Sequence, residues 1–284
     1  MATNNRSFFS GNSNMPPVTG GVVVKPALPN ASFAPVDVIG AVTQPVPPIA
    51  APITPVLPVI SNSVVMGTRR ADDIDLSNSH HGSTILALEG DDMVMGSQGD
   101  DLIFAGEGND TVYGNKGDDV IFGGEGDDTL SGGIGNDIIR GGEGNDVIMG
   151  DEGDDRLYGG MGDDKISGGE GNDRLYGGMG DDYIDGGAGT DEMTGGEGSD
   201  MFVFNVDSGV VNIVANPLDG IITDFKDGVD KIMVSDASGG NLSFTDLSIT
   251  QVGSSVLVTL SSNGDSIEIQ NFDAANLDAN DFVF

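Results

Sequence analysis

The sequence predicts an all-β fold of stacked turns and short strands, and three observations predict it. Residues 87–203 divide into thirteen consecutive nine-residue units with no insertion or deletion (13 × 9 = 117). Position 4 of the unit is Gly in all thirteen, from Gly90 to Gly198, and position 6 is Asp in all thirteen, from Asp92 to Asp200. Position 8 is always a large apolar residue, from Val94 through Ile121 and Leu157 to Phe202. Self-similarity at a fixed period decides the architecture before any local propensity is consulted.

Each part of the unit has a physical reading. The first units are ALEGDDMVM, GSQGDDLIF, AGEGNDTVY and GNKGDDVIF. Glycines at positions 1, 2 and 4 let the backbone turn through positive φ. With no side chains in the way, carbonyl oxygens can converge on a small volume, and the invariant Asp adds a carboxylate to them. Such flexible, partly anionic, all-oxygen donors suit Ca²⁺. They suit Zn²⁺ or copper poorly, because the units contain no Cys or His. Positions 7 to 9 read as a three-residue strand. Its middle side chain faces one way because side chains alternate along a strand. One apolar residue per unit at position 8 then builds an interior stack. A period of nine with an obligate apolar residue argues against a collagen-like or disordered glycine tract, since collagen requires Gly at every third position.

The pattern GGxGxDxUx, nearly unaltered in GGEGDDTLS, GGIGNDIIR and GGEGNDVIM, resembles the RTX nonapeptide, the hemolysin-type calcium-binding repeat. The resemblance implies a right-handed parallel β-roll. Two consecutive units form one coil, and Ca²⁺ lies between turns stacked on the same side. Carried onto this chain, the side-chain ligands are Asp92, Asp101, Asp110, Asp119, Asp128, Asp137, Asp146, Asp155, Asp164, Asp173, Asp182, Asp191 and Asp200. The carbonyl ligands fall in the glycine turns at Gly108, Gly117, Gly126, Gly135, Gly144, Gly153, Gly162, Gly171 and Gly180. If the ion lies between turns i and i+2, thirteen turns allow up to about eleven sites (13 − 2). Position-8 residues of odd units (Val94, Val112, Leu130) and of even units (Ile103, Ile121, Ile139) form two facing stacks. About six and a half coils at a strand spacing of about 4.8 Å give a roll roughly 30 Å long.

Charge supports a metal-dependent fold. The formal net charge is −35 over 284 residues, unevenly spread. Residues 1–86 carry four basic and four acidic groups; the repeats carry five and thirty, a net of −25; residues 204–284 carry two and twelve, a net of −10. Single-sign charge at this density opposes compaction. Divalent cations between the turns would remove the repulsion and supply folding free energy directly. The same charge argues against nucleic acid as a partner, because phosphate binding requires basic patches. The chain has no Cys, so disulfides contribute nothing.

The flanks complete a four-part organisation. Residues 1–66 hold eleven of the twelve prolines, from Pro16 to Pro58, and read as a disordered, Pro-rich arm or linker. They show no basic n-region with an uninterrupted apolar core of the kind a Sec signal carries. Ile49 to Ile60, cut by Pro52, Pro55 and Pro58, is far short of a membrane span. Residues 67–86 open with GTRRADDID, a degenerate capping repeat in which Asp72 and Ile74 keep their places while Arg70 replaces the turn glycine. A poor or absent calcium site is expected there. Arg69 and Arg70 read as a solvated pair, and His80 and His81 as loop. Residues 87–203 are the roll. Residues 204–284 read as a β-rich cap, with strands at IITDF and KIMVS and a hairpin of SVLVTL and SIEIQNF around Asn263-Gly264-Asp265. This flank is similar to the C-terminal region of RTX secretion domains. The terminal Asp281-Phe282-Val283-Phe284 is similar to the uncleaved signal read by type I secretion machinery.

No HExxH and no GxSxG occurs, and residues 1–66 are too few and too proline-rich to bury a catalytic core. Paired acids such as Asp91 and Asp92 recur down the repeats, so a structural metal role accounts for them. The expected function is that of a secreted, non-enzymatic calcium-binding RTX protein that folds on extracellular Ca²⁺ and acts at the cell surface or in the extracellular matrix. Alternatives are a membrane-active or host-interacting protein of nodulation or cytolysin type, and an accessory module for a separate secreted enzyme. No amphipathic or apolar helical segment supports the cytolysin alternative.

Overall fold

The structure is a computed structural model that describes residues 64–206, 218–236, 242–260 and 265–284, all within the unit Pro55–Phe284. Of the proline-rich arm expected over 1–66, residues 1–63 lie outside the described residues, and Val64–Met66 form the first strand.

The chain winds between two sheets, and the repeat dictates how. Strands Leu102–Glu107, Val120–Glu125, Ile138–Glu143, Arg156–Met161 and Arg174–Met179 lie side by side and parallel in one twelve-stranded sheet. Strands Thr111–Lys116, Thr129–Ile134, Val147–Glu152, Lys165–Glu170 and Tyr183–Ala188 do the same in a ten-stranded sheet. Partners are offset by 18 residues, as in Ile103↔Ile121↔Ile139 and Val112↔Leu130↔Ile148, so two units make one coil. This is the parallel β-roll that the repeat implied.

Position 8 builds the core because it sets a large apolar side chain on the inward face of every strand. Ile85, Ile103, Ile121, Ile139, Leu157 and Leu175 face Val94, Val112, Leu130, Ile148, Ile166 and Ile184, all of them fully buried. Outer faces carry a second ladder from position 9 of even units. Phe104 stacks on Phe122 at 4.9 Å, Arg140 lies 4.6 Å above Tyr158, and Tyr158 stacks on Tyr176 at 5.0 Å. Parallel, in-register pairing sets position 9 of one coil beside position 9 of the next, so the planar groups stack.

Interior strands are longer than the three residues expected. They run six residues, from position 7 through position 3 of the next unit, because pairing continues past the first glycine, as in Gly106↔Gly124 and Glu107↔Glu125. Position 1 therefore also faces inward, where Ala87 and Ala105 are fully buried.

The nine-residue period ends at Val203, but the coil does not. Leu218–Ile222 and then Ser266–Ile269 extend the first sheet, and Lys231–Asp236 and then Phe282–Val283 extend the second, all in parallel. A parallel ladder needs extended backbone and an inward apolar residue, here Ile222, Ile269, Ile232 and Phe282; it does not need the glycine turn. Two antiparallel pairings, Leu247–Val252 with Ser255–Leu260 and the latter with Ser266–Ile269, close the edge. The strand Leu247–Val252, joined through Gly253 at φ 65°, was not anticipated. Residues 261–264, which contain most of the expected hairpin turn, lie outside the described residues.

Candidate metal centre

All thirteen position-6 aspartates are buried, none more than 3% exposed. Their side chains form two hydrogen-bonded ladders, one along each line of turns. In the first, the amide N–H groups of Asp92, Asp110, Asp128, Asp146 and Asp164 donate to Oδ1 of Asp110, Asp128, Asp146, Asp164 and Asp182 at 2.8–2.9 Å. In the second, those of Asp101, Asp119, Asp137, Asp155 and Asp173 donate to Asp119, Asp137, Asp155, Asp173 and Asp191 at 2.7–2.9 Å.

Only one carboxylate oxygen is used this way. Oδ2 of Asp92, Asp110, Asp119, Asp128, Asp137, Asp146, Asp155, Asp164, Asp173, Asp182 and Asp200 is buried, and no donor among the described residues reaches it. A buried, anionic and unpaired oxygen costs several kcal/mol each time. Bases do not compensate: two ion pairs occur among the described residues, Arg69–Glu89 and Arg174–Glu192, both at the surface.

The glycines form the space around that oxygen. Position-1 glycine faces inward beside the carboxylate of its own unit, so a Cβ on Gly141 would collide with Asp146 Oδ2, and one on Gly159 with Asp164 Oδ2. Gly108, Gly117, Gly126, Gly135, Gly144, Gly153, Gly162, Gly171 and Gly180 all sit at positive φ between 118° and 144°. Their carbonyls point along the roll axis: a Cβ on Gly126, Gly144, Gly162 or Gly180 would strike the carbonyl of the matching glycine one coil earlier. Among the described residues no three acidic or histidine side chains converge. Main-chain carbonyls would therefore supply most ligands to any ion beside Oδ2. Oxygen-only donors, an orphaned carboxylate and a flexible glycine cradle fit Ca²⁺.

Comparison with known proteins agrees. The RTX calcium-binding nonapeptide repeat family matches in six overlapping four-copy placements, residues 86–121, 104–139, 113–148, 131–166, 140–175 and 167–202. The chain is an RTX repeat protein. Two solved structures from the Azotobacter vinelandii mannuronan C5-epimerase are similar to it. The AlgE6R2 subunit is 35% identical, over 48% of this chain and 91% of that one, with a TM-score of 0.39. The AlgE6R3 subunit is 31% identical, over 48% and 80%, with a TM-score of 0.37. The extracellular lipase LipA of Serratia marcescens aligns at 16% identity over 80% of this chain and 43% of the lipase, with a TM-score of 0.32. No curated protein matches.

In this RTX roll, electrostatics follow from burial. Desolvation raises the carboxyl pKa of the stacked aspartates; the amide bond from the preceding coil offsets part of the rise, and neighbouring carboxylates add to it. Asp119 is pushed up to about 9 and Asp164 to about 8. Asp128, Asp137, Asp155 and Asp182 rise to about 7, and Asp110, Asp146, Asp173 and Asp200 to about 6. Each unit of pKa corresponds to about 1.36 kcal/mol between protonation states. Ionising these groups without a counter-ion therefore opposes folding, through the same burial that raises each pKa.

Sequence reasoning centred on position 6 overlooked position 5. Asp91, Asp100, Asn109, Asp118, Asp127, Asn136, Asn145, Asp154 and Asp163 each accept, through Oδ1, the N–H of the position-5 residue one coil later, at 2.7–3.1 Å. This outer ladder runs opposite to the inner one: position 5 reaches forward and position 6 reaches back. The signal was present, since every position-5 residue is Asp, Asn, Thr or Ser, the short side chains that bond nearby backbone.

Proposed function

We propose that the chain is a secreted, non-enzymatic calcium-binding protein whose roll folds when it meets extracellular Ca²⁺ and then presents its outer faces at the cell surface or in the extracellular matrix. The observation that carries this reading is the row of buried, donor-less Asp Oδ2 atoms inside glycine cradles. Bound Ca²⁺ would neutralise the carboxylates and tie successive coils together. The chain's own residues hold Oδ1 through the amide ladder, leave room through position-1 glycine and exclude water with the position-8 stacks. The aspartates most displaced in pKa belong to these ladders, which leaves them a structural role. The ligands in this reading are the position-6 aspartates whose Oδ2 finds no donor, and the turn-glycine carbonyls.

Export through type I machinery belongs to the same reading. The terminal Phe282 is buried and pairs through its strand with Lys231–Asp236, whereas Phe284 is half exposed. The segment is thus part of the folded coil and would be open to an exporter only before folding. The test is fractionation of cells that express the chain with and without a type I exporter. The chain is expected in the medium only when the exporter is present, and loss of residues 277–284 is expected to retain it inside. Appearance in the medium without the exporter, or undiminished export of the shortened chain, contradicts the reading.

A further inference from the structure

The regular repeat contains two kinds of turn. In interior turns, positions 2 and 4 are both left-handed, as at Gly124 (φ 130°) and Gly126 (φ 124°), and Asp Oδ2 has no donor. The turn of residues 96–101 departs from this. Neither Ser97 nor Gly99 has positive φ, although Gly99 is the position-4 glycine, and the preceding strand Met93–Met95 stops at three residues. Asp101 Oδ2 accepts the Ser97 N–H at 2.5 Å, and the fully buried Ser97 Oγ donates to Oδ1 at 3.1 Å. The same arrangement recurs in the opening turn, where the N–H and Oγ of Thr68 donate to Asp72 Oδ2 at 2.5 and 2.9 Å.

The far end is closed in kind. Asp230 takes the place of a position-6 aspartate; its Oδ1 accepts the Asp200 N–H at 3.1 Å, and its Oδ2 accepts the Lys226 N–H at 2.8 Å. The Lys226 ammonium donates to the carbonyl of Gly196 in the last repeat. Beyond it the buried Asp281 accepts the Asp278 N–H at 2.8 Å. A side chain at position 2 does not by itself close the turn; a hydroxyl that reaches the carboxylate does. Leu88, in the first unit, is left-handed at φ 95°, and its Asp92 keeps a donor-less Oδ2.

We propose that the turns of Asp72, Asp101, Asp230 and Asp281 take no calcium, because hydroxyl and amide donors occupy the carboxylate where interior turns leave it open. The metal stacks then begin at Asp92 and Asp119, and the first of them ends at Asp200. The proposal rests on the reading of interior turns as calcium sites. To bind at Asp101, an ion would have to displace two donors and reset a turn that lacks the left-handed geometry. Metal-free ends also give the roll terminal turns whose carboxylates are satisfied by protein donors.

Bound calcium per chain, measured by elemental analysis after gel filtration in excess CaCl₂, tests this. Ser97→Gly restores glycine at positions 1, 2 and 4 of that unit and is expected to gain about one ion per chain. Ser97→Thr, which keeps the hydroxyl, is expected to bind as many ions as the unchanged chain. Asp101→Asn is expected to leave the number unaltered while Asp137→Asn lowers it; this pair decides the matter should Ser97→Gly fail to fold. No gain in a folded Ser97→Gly chain, or equal losses in Asp101→Asn and Asp137→Asn, overturns the proposal. An unchanged chain that binds no calcium at all overturns the underlying reading as well, and so is distinguishable.

Discussion

In calcium-free buffer at pH 8, a variant carrying Asp119→Asn, Asp137→Asn and Asp155→Asn is expected to hold more β-structure than the unchanged chain. In excess Ca²⁺ the order is expected to reverse. The three aspartates are consecutive in one ladder and buried, with carboxyl pKa values pushed up to about 9, 7 and 7. A folded-state pKa above the unfolded value of 3.8 means that the folded chain binds more protons. Its stabilising contribution is therefore complete below about pH 4 and is lost as pH rises through the folded values, from about 6 to about 9. Asparagine removes that loss. Its carbonyl oxygen still accepts the N–H of Asp101, and its amide nitrogen faces the carbonyls lining the cradle. With calcium present, the same change deletes three anionic ligands. Far-UV circular dichroism from pH 5 to pH 9, with EGTA or with Ca²⁺, reads both arms. An unchanged chain that is the more folded at pH 8 in EGTA would mean that the buried carboxylates are not the source of calcium dependence.

Gly144→Ala is expected to cost the calcium-loaded roll about 2–5 kcal/mol, combining a left-handed penalty of about 1–2 with a steric one of about 1–3. Gly144 sits at φ 129°, and its added Cβ would strike the carbonyl of Gly126, which cannot retreat without breaking the Gly126 N–H to Glu143 carbonyl bond of 2.7 Å. Gly228→Ala is the matched control. That glycine is also left-handed, at φ 71°, but nothing lies within 4 Å of the new Cβ, so only the conformational cost of about 1–2 kcal/mol applies. Because coils interact mainly with their neighbours, the mid-roll change should also divide one thermal transition into two. Equal destabilisation by the two substitutions would show that close coil-to-coil approach is not what position 4 provides.

The roll was legible because one short pattern encodes it without interruption. Position 8 gave the core, position 6 the carboxylates and the glycines the turns, and Ile139, Asp146 and Gly144 occupy those places in the structure. What stayed hidden was carried by backbone pairing rather than residue type. GSQGDD differs from GNKGDD at position 2 by a hydroxyl in place of an amide, but only the structure shows that Ser97 closes on Asp101. The continuation of the coil beyond Val203 was equally opaque, because Ile222 and Ile232 stack in register without any nonapeptide around them. Asp230 falls in the stretch expected to cap the roll, but only the structure shows that its carboxylate accepts the Asp200 N–H.

Calcium between the turns is proposed to hold this fold. Far-UV circular dichroism of the full chain at neutral pH, titrated with CaCl₂ and separately with MgCl₂, tests it most directly. A cooperative gain of β-structure is expected with Ca²⁺ alone, since Mg²⁺ demands a tighter octahedral shell and gives up its waters reluctantly. A chain already folded in EGTA at neutral pH, or a transition that Mg²⁺ reproduces, would contradict it.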